Sequence, residues 1–376
     1  NSYYAMLTNL PLKMVLMITY LSHWDWILYK SRKDLIKYIN SDEINAICPS
    51  GDYKVELDSI YNDVTFWELD RKKLLDIKSI LKLRSHIKNI NGSFHCFTLK
   101  TGILFCMANI FIKNKHSAVL SITGLGFLFS ESPRARLLRL IIKPFMRYLF
   151  NKSFDVIIFQ NQLDEKLFLQ FTRFSNKTKI IPSSGIEVNN FKKRISKPKN
   201  SDKKKVIFVS RLLYDKGVFD YINLVNKVSK EKFEFYLAGE RDDGNPQNIS
   251  DNDMEHILKE QNLNYLGKID VETELSKFDI SIIMSSHEGF SRILLESLYV
   301  GLYCLAYRIQ GTEVMKEFEN LELIELNHIE KFVEFIENFN DIDDNSKNIQ
   351  LTEQLYTSKV VASQFESIYK DLGVLD

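Results

Sequence analysis

Along almost the whole chain, short apolar runs rich in β-branched residues alternate with stretches of helical length. The first series is KMVLMITY, INAICP, DVTFWEL, SFHCF, AVLSIT and DVIIFQ. The second is KVIFVS, FEFYLA, LNYLG, DISIIMS and YCLAY. Strands buried on both faces of a parallel sheet read as near-continuous apolar runs, and each needs a crossover before the next. The pattern therefore predicts α/β architecture with one parallel, doubly wound sheet on each side of a break. The break is PSSGIEVNNFKKRISKPKNSDKKK, residues 182–205, which reads as a linker and a solvated basic loop. The expected division is 1–185 for a first Rossmann-like domain, 186–352 for a second, and 353–376 for a C-terminal helix. No internal repeat or long low-complexity tract interrupts this reading.

A length of 376 residues suits two domains. The net charge is only +1, but residues 1–190 hold 26 Lys+Arg against 16 Asp+Glu, and the remainder 24 against 33. A basic half suits an anionic partner. Nucleic acid is not the expected one, because no basic-aromatic platform or zinc module is present. The four cysteines (Cys48, Cys96, Cys106 and Cys304) are scattered with no C-x-x-C pair, which fits a reducing compartment and argues against a structural zinc site. The longest apolar runs, such as GILFCMANIFI at 102–112, are too short to span a bilayer and read as core helix. No signal-peptide pattern is evident, so a cytoplasmic location is expected.

In doubly wound sheets, ligands bind beyond the carboxyl ends of the strands. One such end is SHEGFSRILLES, Ser286–Ser297, which follows DISIIMS. Gly289, Phe290 and Ser291 are expected where strand turns into helix, with backbone N–H groups open to an anion. Glu288 precedes the helix, and Glu296 lies eight residues on, about 12 Å along it. That is about the reach from a sugar ring, over a diphosphate, to a ribose. Spacing alone leaves a second reading open, in which Arg292 and Glu296 are a weak surface pair at i,i+4.

A second motif, RLLYDKG (Arg211–Gly217), follows KVIFVS. Arg grips phosphate in bidentate fashion and Lys acts as a compact point charge. At the same sheet edge as Ser291, Arg211 and Lys216 would neutralise a departing diphosphate. A solvated loop pair is the alternative.

Taken in order, VSRLLYDKG, FYLAGE, LNYLG and SSHEGFSRILLESLYVG resemble the retaining glycosyltransferases of the GT-B fold, family 4. Their pattern is R-L-x-x-x-K-G after a strand, a strand ending in A-G, then E-x7-E. IPSSGIEVNNF resembles the family's linker. HCFTLKTG and SITGLGFLF are similar to a subgroup that builds bacterial surface polysaccharides of O-antigen or capsule type. The resemblance implies two Rossmann-like domains facing a cleft, and a last helix crossing back to the first domain. It implies Arg211 and Lys216 on the donor diphosphate, and Glu288 on the donor sugar beside Gly289 and Phe290. Glu296 would bind the ribose, and Gly239 would make backbone room near the nucleotide. His95, taken as lying just after a strand, matches the family's active-site histidine; a satisfied core histidine is the other reading. Glu313 matches a further family position, and is equally a helix-start glutamate. The implied donor is a nucleotide-sugar, UDP-sugar favoured, with no cofactor and no metal. Asp242-Asp243 reads as a turn.

The chain departs from the family where many members have glycines after the first strand. Here the loop is SHWDW, Ser22–Trp26. Gly124 and Gly126 lie in a tight turn after AVLSIT, and Phe129 occupies the third position of what would be a dinucleotide fingerprint. The segment PRARLLRLIIKPFMRYLFNK, 133–152, carries Arg134, Arg136, Arg139, Lys143, Arg147 and Lys152 among large apolar residues, with Pro144 expected to kink or split it. Basic and apolar together suit an anionic membrane surface, and a core-packing amphipathic helix is the alternative. The subgroup's acceptors are lipid-linked saccharides, polyprenyl diphosphate-borne. Rival readings are a GT-B-fold nucleotide-sugar epimerase, which would turn over donor alone, and a non-catalytic nucleotide-sugar-binding protein.

Overall fold

The computed structural model describes residues 17–71, 73, 76–110, 112, 116–129, 133–194, 203–342 and 344–375. Lys13–Leu16, where the first strand was expected to start, and residues 195–202 of the expected linker lie outside them.

The first seven strands are β1 (Met17–Ser22), β2 (Glu43–Cys48), β3 (Val64–Phe66), β4 (Ser93–Phe97), β5 (Ala118–Ile122), β6 (Val156–Phe159) and β7 (Lys177–Ile180). They form one parallel sheet in the order β3-β2-β1-β4-β5-β6-β7. The next six are β8 (Lys204–Val209), β9 (Phe233–Ala238), β10 (Leu263–Gly267), β11 (Ile280–Ile283), β12 (Tyr303–Tyr307) and β13 (Leu321–Ile324). Their sheet is also parallel, in the order β10-β9-β8-β11-β12-β13. The strand order reverses between β1 and β4 in one sheet and between β8 and β11 in the other. Each reversal opens a crevice at the carboxyl ends, where ligands of such sheets bind.

Side chains alternate across each sheet. On β8, Val206 and Phe208 enter one apolar cluster and Ile207 enters the opposite one. On β1, Ile18 and Tyr20 enter one cluster and Leu21 the other. Both faces are therefore covered, which explains the unbroken apolar runs. The edge strands β7 and β13 escaped the apolar pattern. Their sequences, KTKI and LELI, are short and carry polar residues because an edge strand need not be buried on both faces.

The expected solvated linker is more firmly held than its composition suggests. β8 begins at Lys204, inside the segment read as linker, and Arg194 is buried on Asp279 at 2.6 Å. Beyond the second sheet, the helix Ser358–Asp371 returns to the first. Ile186 N donates to Tyr356 O (3.0 Å) and Ser358 N to Ile186 O (2.9 Å), so the two crossing segments run side by side. Val361, Ala362, Phe365, Ile368 and Tyr369 then join the cluster of Ile18, Tyr20 and Leu35.

That packing corrects the reading of His95. It lies within β4, opposite Tyr20 and Val119, not after it. Phe94 and Cys96 point to one face, so His95 and Phe97 point to the other, under the C-terminal helix. Its side chain is fully buried. Nδ1 meets Tyr369 Oη at 2.5 Å and Nε2 meets Ser121 Oγ at 2.7 Å. Burial, with Arg32 nearby, holds its imidazole well below the usual value. His95 is a satisfied core histidine and does not face the cleft.

Residues Pro133–Ser153 form one helix with Pro144 inside it, so the proline does not split the segment. The Arg134 side chain lies outside what is described. Met146 and Phe150 are buried against the first core, while Leu137, Leu140, Phe145 and Tyr148 are each more than 60% exposed. Among the described residues, no helix is long and apolar enough to cross a membrane.

Candidate active site

The E-x7-E segment leaves β11, and R-L-x-x-x-K-G leaves its neighbour β8, so register alone brings them to one crevice. Lys216 Nζ donates to Glu288 Oε1 at 2.7 Å, and Ser285 Oγ donates to the same oxygen at 2.8 Å. Both side chains of the pair are mostly buried. Gly217 follows in the left-handed region, where a Cβ would lie 2.2 Å from Met284 O. Only glycine lets this loop close onto the end of β11.

Glu296 sits on the helix Arg292–Val300, buried to 7% exposure, and accepts from Arg292 Nε at 2.6 Å. The i,i+4 pair is therefore present, but it is not a surface pair. Burial raises the Glu296 pKa, and Arg292 opposes that rise. Arg292 Nη1 also donates to Lys30 O of the first domain, at 3.0 Å.

The backbone around Gly289 differs from expectation. Ser291 N is not open to an anion but donates to Gly311 O at 3.0 Å. The Ser291 hydroxyl, by contrast, is buried at the start of the helix with no hydrogen-bond partner among the described residues. The Phe290 side chain packs in the core, its ring 5.6 Å from that of Tyr356. Gly289 itself touches the first domain. Asn161 Nδ2 donates to Gly289 O at 2.8 Å, and a Cβ on Gly289 would fall 2.4 Å from Thr123 O. Gly124 lies alongside, so the turn read after β5 abuts the E-x7-E segment. Nearby, His287 Nε2 is 3.9 Å from Asp164, whose pKa burial raises.

Gly239 occupies the left-handed side of conformational space (φ 136°), and a Cβ there would lie 1.7 Å from Ser210 O. The room it makes is taken by the end of β8. Glu313 pairs with Arg308 at 2.9 Å in a short helix next to this crevice.

Arg211 does not join Lys216 on Glu288. Its Nη1 donates to Asp242 Oδ2 at 2.8 Å, while Arg71 Nη2 of the first domain donates to Asp242 Oδ1 at 2.9 Å. Asp242, read as part of a turn, is thus a buried carboxylate clamped by a guanidinium from each domain. Trp24 of the SHWDW loop lies over Arg71 at 3.8 Å and 5.9 Å from Arg211, with Trp26 stacked behind it at 5.1 Å. His23 Nδ1 reaches Thr98 Oγ1 (2.9 Å) and Thr101 Oγ1 (3.1 Å). Burial and the charges of Lys100, Arg71 and Arg211 lower its pKa to about 3, so it is neutral. Lys100 donates to Arg71 O at 2.6 Å; burial, then Arg71, lowers its pKa to about 8. Thr98 holds φ 80°, a strained value for a non-glycine residue, and such strain clusters at functional sites.

Sequence reasoning missed His23, Trp24, Arg71, Lys100 and Asp242 as a group. His23, Trp24, Arg71 and Lys100 are gathered from loops of the first domain far apart in sequence, and Asp242 meets them across the domain boundary. The one signal in the sequence was the absence of glycine after β1.

The β8/β11 crevice thus carries a carboxylate–lysine pair, and a carboxylate held by one guanidinium from each domain bridges the two. Comparison with solved structures agrees on the fold. A sucrose-phosphate synthase from Thermosynechococcus elongatus superposes with a TM-score of 0.73 at 14% identity, over 95% of this chain and 99% of that one. The Anabaena protein HepE in complex with UDP and glucose gives 0.72 at 15%, over 96% and 100%. A glycosyltransferase from Rickettsia africae gives 0.72 at 15%, over 95% and 98%. The fold is GT-B. The family model described as glycosyl transferases group 1 matches residues 189–353, which contain both second-domain motifs. A comparison with curated protein sequences gives no match.

Proposed function

We propose that the chain is a retaining, metal-independent glycosyltransferase of family 4. It moves a hexosyl or N-acetylhexosaminyl group from a nucleotide-sugar, UDP-sugar favoured, to a saccharide carried on polyprenyl diphosphate, in bacterial surface polysaccharide synthesis. The observation that carries this reading is the Lys216–Glu288 pair at the β8/β11 crevice, with buried Glu296 on the helix that follows Glu288 and Arg211 at the start of the loop that carries Lys216. Glu288 holds donor-sugar hydroxyls and Glu296 the ribose hydroxyls. Lys216 and Arg211 stabilise negative charge as it develops on the diphosphate, which is where preorganised cations act most strongly. The bond from the anomeric carbon to the diphosphate oxygen breaks. The acceptor oxygen bonds on the same face, and its proton passes to the departing phosphate. UDP is favoured because a structural neighbour of the same fold was solved with UDP and glucose.

The acceptor reading rests on the helix Pro133–Ser153. Its outer face exposes Leu137, Leu140, Phe145 and Tyr148 beside exposed Arg136, Lys143 and Arg147. Apolar residues flanked by cations fit an anionic lipid surface, so the protein would lie peripherally on the cytoplasmic face of the inner membrane. The helix begins shortly after the β5 turn that abuts Gly289, which would bring the surface near the cleft.

A thermal-shift titration with UDP, GDP and their sugar conjugates tests the donor. Ligand at about 100 times its dissociation constant adds about 2.7 kcal/mol, enough to raise Tm by several degrees. A shift with one nucleotide series that disappears in Glu296→Ala supports the reading. No shift with any nucleotide contradicts it.

A further inference from the structure

The loop after β1 lacks the glycines that would let first-domain backbone approach a phosphate, and what stands there is a side-chain slot. The Arg71 guanidinium lies between the Trp24 ring, 3.8 Å away, and Gly244, where a Cβ would come within 3.0 Å of Arg71 Cζ. Any other residue at 244 would crowd it. In front of it is Asp242, whose other oxygen is held by Arg211 at 2.8 Å. The Arg71 Nε is buried with no hydrogen-bond partner among the described residues. Lys100 fixes the Arg71 backbone carbonyl at 2.6 Å and brings a further positive charge.

One carboxylate therefore faces two guanidiniums from opposite domains, with a lysine close by. Asp242 Oδ1 and Oδ2 stand where two oxygens of a ligand anion would bind, one on Arg71 and the other on Arg211. Planar guanidiniums suit phosphate oxygens in this geometry, and closely placed cations are costly to bury without anions to match.

We propose that Arg71 is a first-domain ligand of the donor diphosphate, acting with Arg211, and that Asp242 holds both arginines as a stand-in anion until the diphosphate displaces it. This rests on the donor reading above and adds to it the residue that replaces the missing glycine loop. The same exchange couples donor binding to the domain contact. Displacing Asp242 exchanges a protein cross-link, Arg71–Asp242, for one made through the ligand.

Isothermal titration of the full chain with UDP, GDP, the matching monophosphates and inorganic pyrophosphate tests it. In wild type, one nucleoside diphosphate binds, and Arg211→Met weakens it. Arg71→Met should weaken the same diphosphate and pyrophosphate at least about tenfold, as expected for a lost charge-assisted contact. Arg71→Lys should recover part of that loss. Asp242→Asn should tighten diphosphate binding several-fold, because the internal competitor is gone. Unchanged diphosphate affinity in Arg71→Met, with Arg211→Met still defective, would overturn the proposal and leave Arg71 as a strut between domains. Weaker binding in Asp242→Asn would overturn the stand-in role. Failure of wild type to bind either nucleoside diphosphate would instead overturn the donor reading itself.

Discussion

Lys216 Nζ lies 2.7 Å from Glu288 Oε1, joining the loop after β8 to the loop after β11. The ammonium sets the direction of the carboxylate. Lys216→Ala and Glu288→Gln should each lower kcat/KM by about 10²–10³, the usual scale for removing one preorganised charge contact. The double variant should fall far short of the product of the two, because the residues act as a unit. Steady-state release of nucleoside diphosphate measures this, with Tm as the control for folding.

Gly289 meets the first domain so closely that a Cβ would lie 2.4 Å from Thr123 O and 2.9 Å from Gln160 Oε1. Gly289→Ala should push the E-x7-E segment away from the end of β5 without disturbing either core. The expected result is a larger radius of gyration in small-angle scattering and a fall in kcat, with far-UV dichroism unchanged.

Buried His95 makes stability depend on pH. Its folded pKa lies well below the ordinary 6.5, so below pH 6.5 the unfolded chain takes a proton that the folded chain refuses. Its contribution is therefore intact above about 6.5 and is lost as pH falls towards the lowered folded value. The loss approaches about 1.4 kcal/mol per pH unit for one such group. Urea unfolding at pH 7 and pH 5 should show that fall, and His95→Gln should flatten it. At pH 7 the same change should cost about 1–3 kcal/mol, since Tyr369 Oη and Ser121 Oγ lose their buried partner. Its surviving folded fraction should keep near-wild-type kcat, because His95 does not reach the cleft.

On the helix Pro133–Ser153, charge and apolar surface should separate cleanly in a vesicle assay. Lys143→Glu with Arg147→Glu should reduce sedimentation with anionic vesicles by about 1 kcal/mol or more per charge, and raising salt should mimic the effect. Leu140→Ser with Phe145→Ser should weaken binding at all salt concentrations. Both side chains of each pair are exposed, so Tm should hardly move.

The doubly wound pattern was readable because strands covered on both faces must be apolar throughout, and β8 and β11 show this plainly. β7 and β13 hid because a short edge strand tolerates polar residues and leaves no apolar run to read. His95 was misplaced because SFHCF is the strand itself, with His95 at its middle, and alternation within it sends His95 into the core. The Lys216–Glu288 meeting followed from neighbouring strands, so two local motifs sufficed to bring the residues together. Arg71 and Asp242, 171 positions apart, meet only across the domain boundary. No local periodicity encodes such a contact.

The most direct test of the account is a turnover assay on a panel of UDP- and GDP-sugars with a polyprenyl diphosphate-linked saccharide, following the product linkage by NMR. The account predicts nucleoside diphosphate release that needs the acceptor, a product with the donor's anomeric configuration, and loss of both in Glu288→Gln. An inverted product would contradict the retaining mechanism. Release from none of the donors, with intact folding and no nucleotide bound, would contradict the assignment as a glycosyltransferase.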